Sequence, residues 1–241
     1  MGQFITPRTS ICEACHLELT ATPRRWPRAP AGIGASVSKD EGDVSTSVAM
    51  ILRKPDDPAT LPDLLRPDLG VVFVGINPSL YSAAQGHYFA RRTNRFWPAL
   101  SRSTLSLGAR TALDVEVLLP EHDRRLPEYG FGFTDAVKRA SARADEITPA
   151  EFAAGVKDLL AKLEDFSPRF ACFHGIMAFR PLHRTLTGTK DEPHLGLQEL
   201  CIGKTRLFLA PNPSGANAHF TPADQTRSYD ELAGCLKRDF P

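Results

Sequence analysis

The chain has 241 residues, 42% hydrophobic and 24% charged, which is ordinary for a globular protein with room for one α/β domain and a tail. No apolar run approaches the roughly 18 residues of a membrane span, and the N-terminus lacks the charged-then-apolar pattern of a secretory signal, so no membrane partner is expected and the cytoplasm, or a bacterial nucleoid, is the expected place. The formal net charge of +1 neither requires nor forbids a nucleic acid, because phosphate binding depends on local charge.

Residues 1–60 are rich in Pro, Gly, Ser and Arg, and Arg24 to Glu41 offer no amphipathic period that could bury a face. This part is expected to be a disordered or loosely attached tail, with Met50 as an alternative start. Cys12-Glu13-Ala14-Cys15-His16 has the spelling of a c-type haem attachment site, but such attachment needs export, and a zinc or iron–sulfur site needs two more ligands at metal spacing. No metal or cofactor is therefore expected. Five cysteines, an odd number, argue against a disulfide framework. Cys172, inside an apolar run, reads as a buried core thiol.

The ordered domain is expected over residues 61–241. Val71-Val72-Phe73-Val74, ended by Gly75, suits a strand buried on both faces. Arg91, Arg92 and Arg95 form a basic group, and a helix carrying Phe96, Trp97 and Leu100 starts near Asn94. Lys138, Arg139 and Arg143 form a second basic group; each group is either phosphate-facing or plain solvated surface. From about Pro149 to Asp165, Phe152, Val156, Leu159, Leu160 and Leu163 fall at helical spacing. Phe170-Ala171-Cys172-Phe173 and Leu207-Phe208-Leu209 repeat the buried-strand form, and a last helix runs from about Pro222 to Leu236. Strands alternating with helices imply parallel pairing, hence a three-layer α/β/α sandwich on a mainly parallel sheet.

In such sheets ligands bind beyond the carboxyl ends of the strands. The most loop-like segments follow those ends: Gly75-Ile76-Asn77-Pro78-Ser79 and Pro211-Asn212-Pro213-Ser214-Gly215. Small residues and turn formers let backbone amides approach a ligand closely there, although two ordinary tight turns would have the same composition.

Read on through Leu80-Tyr81-Ser82-Ala83-Ala84-Gln85-Gly86-His87-Tyr88-Phe89-Ala90 to Asn94-Arg95-Phe96-Trp97, the first of these segments closely resembles the first motif of mismatch-specific uracil/thymine-DNA glycosylases. Asn212-Pro213-Ser214-Gly215 resembles their second motif, and Gly132-Phe133-Thr134-Asp135 with Arg143-Ala144-Asp145-Glu146 matches their middle segment. The resemblance covers roughly residues 61–240 in unbroken order. It implies the uracil-DNA glycosylase fold on a four- or five-stranded sheet, and a monomer without cofactor. Its partner would be double-stranded DNA holding uracil or a mismatch, whose base is flipped out where pairing is weakest.

Cleavage of the bond between N1 of uracil and C1′ passes through an oxocarbenium-like sugar and a departing base anion. By resemblance Asn77 positions the attacking water, Phe89 stacks on the base and the amides of Ile76 and Phe89 read its oxygens. Ser82 crowds C5 against thymine, and Tyr81 beside it is a further expected substrate contact. Asp145 is a candidate base or stabiliser of the sugar cation, or else an acid at the N-terminus of the 149–165 helix. Asp135 is a further acid, although Thr134-Asp135 reads more like a turn or cap. Asn212, Ser214, Gly215, Ala216 and Asn217 are the expected DNA contacts.

Two departures stand out. Ser79 replaces the Gly usual after Asn-Pro, and Ala216 and Ala218 occupy the places of an apolar wedge and an Arg, which leaves Asn217, His219 or Phe220 for that work. The alternatives are a glycosylase of broader range and a module that binds damaged bases without cleaving them.

Overall fold

The computed structural model describes residues 60–239. The expectations for the tail, including Met50, Cys12 and Cys15, lie outside them. Five strands form one sheet: β1 (Val71–Gly75), β2 (Phe131–Asp135), β3 (Phe170–His174), β4 (Gly196–Ile202) and β5 (Thr205–Ala210), in the spatial order β2-β1-β3-β5-β4. The first four neighbours are parallel and β4 pairs antiparallel with β5 at the edge.

Among the described residues six α-helices accompany the sheet: α1 (Leu80–Gln85), α2 (Phe96–Arg102), α3 (Leu107–Leu113), α4 (Pro149–Phe166), α5 (Ile176–Thr187) and α6 (Pro222–Asp239). Strand alternation divides the core in two. Phe73, Phe131, Phe133, Cys172 and Phe208 face α2, α3 and α6, which contribute Phe96, Leu100, Ala109, Tyr229 and Leu232. Val72, Val74, Phe173, Leu207 and Leu209 face the other way, onto Val156, Leu159 and Leu163 of α4 and Phe179 and Leu182 of α5. The predicted three-layer sandwich is the observed one, and Cys172 is fully buried within it as expected.

Two segments differ from the sequence reading. Thr134 and Asp135 are neither turn nor cap; they end β2, in register with Val74 and Gly75 of β1. Asp145 does not cap α4. Thr148 does, its hydroxyl accepting from the Glu151 N–H while the Glu151 carboxylate accepts from the Thr148 N–H at 2.9 Å, a reciprocal pair that satisfies two otherwise orphaned donors. Asp145 precedes it in a short 3-10 turn, Ala144–Glu146.

Helix α4 approaches the chain just after β2 so closely that a Cβ on Gly155 would lie 2.0 Å from the Ala136 carbonyl oxygen. Glycine within a helix ordinarily costs about 1 kcal/mol relative to alanine. Here the clash reverses the sign: Gly155→Ala should destabilise by about 1–3 kcal/mol, the range for overpacking. Urea unfolding monitored by circular dichroism would check this, and a stabilised variant would contradict the close approach.

Candidate active site

A cleft of about 580 Å³ opens at the carboxyl ends of β1, β2, β3 and β5. Chain segments from both motif loops, the end of β2, residues 141–145 and the start of α5 line it. This is the crevice that the parallel topology provides for a ligand.

Asn77 lies immediately beyond β1. Its Nδ2 donates to the Arg139 carbonyl at 2.9 Å, to Ser141 Oγ at 2.8 Å and, more weakly, to the Pro78 carbonyl at 3.2 Å. A turn residue serving its own loop would make only the last of these. The two long-range bonds fix the amide plane, and Oδ1 has no hydrogen-bond partner among the described residues. It is an oriented acceptor in the wall of a cleft.

Phe89 has φ 52°, in the left-handed region that non-glycine residues rarely adopt. Its ring stacks on Phe96 with centroids 4.2 Å apart and meets His174 edge-on at 5.2 Å. One face is thus covered by Phe96, and the half-buried ring still lines the cleft. The amides on either side are occupied: Tyr88 N–H donates to Asp123 Oδ2 at 2.9 Å and Ala90 N–H to Ser82 Oγ at 3.2 Å. The Phe89 and Ile76 N–H groups make no hydrogen bond among the described residues.

Ser79 is the N-cap of α1, its hydroxyl accepting from the Ser82 N–H at 3.1 Å, which accounts for serine in place of glycine. That start turns Ser82 inward, 4% exposed, and leaves Tyr81 outward, 42% exposed and away from the cleft lining. Ser82 does line the cleft, but its hydroxyl is engaged with Ser79 and Ala90.

The acid that sequence reasoning ranked lower is the buried one. Asp135 is 4% exposed and lines the cleft, and its Oδ2 has no hydrogen-bond partner among the described residues. The neighbouring strand makes room for it: a Cβ on Gly75 would fall 2.3 Å from Asp135 Oδ1 and 3.8 Å from the Phe89 ring. Burial pushes its pKa up to about 7, against the opposing charge of Lys138 and with a further push from Asp63. A usable signal existed in Phe131-Gly132-Phe133-Thr134-Asp135, where period two puts Asp135 on the same face as two core phenylalanines.

Asp145 is also in the lining, but at the exposed rim. Its carboxylate accepts from Arg143, with Nε at 3.0 Å, and that bond holds its pKa below the usual value. His174, which the sequence reading did not single out, is 2% exposed and hydrogen-bonded through Nε2 to the Tyr229 hydroxyl at 2.9 Å. Burial lowers its pKa to about 3, so the ring is neutral at neutral pH.

Asn212 Oδ1 accepts from the Ser214 N–H at 2.9 Å, and Asn217 Nδ2 donates back to the Asn212 carbonyl at 2.9 Å. Asn217 is therefore a brace within its own loop rather than a free wedge. Neither Asn217 nor Gly215 lines the cleft, whereas Asn212, Ser214 and Ala216 do. A Cβ on Gly215 would fall 2.6 Å from the Thr93 carbonyl oxygen, so the two motif loops touch here.

Most of the predicted basic groups are committed internally. Arg95 donates to the carbonyls of Asn217, at 2.9 Å, and Phe220. Lys138 pairs with Asp63, Arg139 with Glu151 and Arg143 with Asp145. Arg91 and Arg92 are exposed, with no ion pair among the described residues, and Arg91 borders the cleft.

A family model described as the Uracil DNA glycosylase superfamily matches residues 62–233. A solution NMR structure of a candidate uracil DNA glycosylase from Methanosarcina acetivorans aligns with 73% of this chain and 98% of its own, at 19% identity and a TM-score of 0.45. The family match spans most of the chain and includes both motif loops and the end of β2, and on that ground the chain belongs to the uracil DNA glycosylase superfamily.

Proposed function

We propose that this protein is a DNA glycosylase of the mismatch-specific uracil/thymine type. In this reading it flips deoxyuridine out of duplex DNA, with preference for uracil opposite guanine, and hydrolyses the glycosidic bond to leave an abasic site. The observation that carries the reading is the unpaired, buried Asp135 carboxyl beside the Phe89 ring, in one cleft with the free Oδ1 of Asn77.

The flipped base slides against the open face of Phe89, an aromatic contact worth about 1–3 kcal/mol. Its carbonyl oxygens meet the free N–H groups of Ile76 and Phe89 and the protonated Asp135 carboxyl. As the bond to C1′ lengthens, negative charge grows on the base, and donors already aimed at those oxygens stabilise it most at the transition state. Asn77 Oδ1 accepts from a water and holds its oxygen toward C1′. The water adds to the sugar, its proton leaves to solvent, and the base departs as an anion or takes the Asp135 proton.

The two acids thus divide. Asp135, with its pKa raised to about 7, supplies the donor, while Asp145, kept ionised by Arg143, contributes a negative field at the rim beside the sugar cation. Arg91 and Arg92, exposed and with no ion pair among the described residues, are available to phosphate, and Asn212, Ser214 and Ala216 meet the strand at the cleft mouth. The packed wall around Ser82 disfavours the thymine methyl, a discrimination of about 1–3 kcal/mol at most.

Incubation of the protein with a labelled duplex containing one G·U pair, followed by alkali, tests the reading. Strand cleavage at the uracil supports it, whereas tight binding without cleavage would make the protein a damaged-base binder. Single-turnover kinetics then separate the residues. Asn77→Ala should lower the rate by about 10²–10⁴-fold, and Asp145→Asn by less than about tenfold because its charge is exposed and already paired.

Asp135 makes the pH profile diagnostic. If its proton serves the leaving base, the rate falls as pH rises through about 7, and Asp135→Asn, which keeps a donor that does not titrate, removes that fall. A rate that climbs through the same interval would make Asp135 a base for water instead.

Stability follows the same group with a definite sign. A carboxyl whose folded pKa is raised from 3.8 to about 7 contributes stability that is present below pH 3.8 and lost as pH rises toward 7. Asp135→Asn should therefore melt higher relative to wild type at pH 8 than at pH 4. Parallel Tm shifts at the two pH values would contradict the burial argument.

A further inference from the structure

Asp123 lies outside the cleft lining and outside both motif loops, yet it is 1% exposed and sends both carboxylate oxygens to the Phe89 turn. Oδ2 accepts from the Tyr88 N–H at 2.9 Å and Oδ1 meets His87 Nδ1 at 3.0 Å. On the far side of Phe89, Ser82 Oγ accepts from the Ala90 N–H at 3.2 Å. The carbonyl of Tyr88 is fixed too, accepting from Trp97 Nε1 at 2.9 Å.

These bonds clamp the peptide groups before and after a residue with φ 52°. A phenylalanine does not enter that region unaided; the surrounding structure must over-determine it. The chain leaves Gly86, itself at φ 74°, and must turn so that the Phe89 ring lands on Phe96 while its own N–H stays unengaged. Without the Asp123 acceptor the Tyr88 N–H would be buried and unsatisfied, and the turn would relax to find it a partner.

We infer that Asp123, with Ser82 opposite it, is a positioning residue that holds the free Phe89 N–H and ring for the departing base. The inference rests on the proposed uracil excision and extends it to a group that would touch neither DNA nor water. It also gives Ser82 a second task, since its hydroxyl is used to hold the turn as well as to line the cleft.

The test exploits leaving-group chemistry. A donor aimed at the departing base matters most when that base is a poor leaving group, and 5-fluorouracil leaves more easily than uracil because its anion is more stable. The full chain is assayed under single turnover on G·uracil and G·5-fluorouracil duplexes. Asp123→Ala should slow uracil release about 10²-fold, the scale of one lost preorganised donor, and 5-fluorouracil release by less than about tenfold. Asp123→Asn, which keeps an oxygen for the Tyr88 N–H and can donate to His87, should recover most of the loss.

A merely structural role would lower the folded fraction and slow both bases alike, so equal losses overturn the inference, as does Asp123→Asn failing together with Asp123→Ala. Should Asp123→Ala not fold, Trp97→Phe, which removes the donor to the Tyr88 carbonyl and lies outside the cleft lining, reads the same clamp and must show the same skew toward uracil, in smaller measure. Equal losses there overturn it as well. A wild-type protein that releases neither base removes the glycosylase reading, and this inference with it, whereas wild-type release with unskewed variants removes this inference alone.

Discussion

A buried carboxyl oxygen with no hydrogen-bond partner among the described residues, Asp135 Oδ2, stands in the lining of the cleft, and the proposed chemistry depends on it. Gly75 and Asp135 stand side by side at the ends of two parallel strands, and the missing side chain of one is the space occupied by the other. Burial opposes ionisation of Asp135, the nearby Lys138 favours it, and the balance brings the proton to the edge of neutral pH. No side chain among the described residues satisfies Oδ2. A group kept in that condition is the kind of local inconsistency that function, rather than stability, explains.

The network that flanks it has a comparable logic. Asp63 accepts from Lys138, Lys162 and Thr134, each at 2.7 Å, and so fastens the chain entering the domain onto the end of β2. Tyr88 donates to the Pro62 carbonyl at 3.0 Å, tying the same entering segment to the Phe89 turn. On the far side Arg95 spans the two motif loops by holding the Asn217 and Phe220 carbonyls. The loops that line the cleft are thus braced by Asp63, Lys138 and Arg95, none of which is in its lining. Preorganisation of this kind makes donors effective, since little reorganisation remains at the moment of reaction.

The sheet was legible in the sequence where its strands were continuous apolar runs. Val71–Val74, Phe170–Phe173 and Leu207–Leu209 carry their own evidence of burial on both faces. Strand β2 was harder to read: Phe131 and Phe133 alternate as a strand should, but Gly132 and Asp135 are poor strand formers and five residues are too few to average over them. The edge strand β4 and helix α5 left only weak traces, with Gly203 turning the chain into β5 and Pro181 inside the helix. The motif residues Asn77 and Phe89 were readable from resemblance, but their hydrogen bonds were not. Arg139 and Ser141, which accept from Asn77, and Asp123, which accepts from the Tyr88 N–H beside Phe89, lie far along the chain.

Charge was the least readable property. Six basic residues suggested two phosphate-facing groups, yet four of them are spent on acids or carbonyls within the domain. The two carboxylates likewise exchanged prominence once burial was known, since composition cannot say which of Asp135 and Asp145 is screened by water. The most direct measurement is a crystal structure with a duplex carrying a 2′-fluorinated deoxyuridine opposite guanine, whose electron-poor sugar resists cleavage. The account predicts the uracil ring against Phe89, its carbonyl oxygens within hydrogen-bond distance of the Asp135 carboxyl and the Phe89 N–H, and a water on Asn77 Oδ1. A base seated outside the cleft, or one that leaves Asp135 untouched, would contradict it.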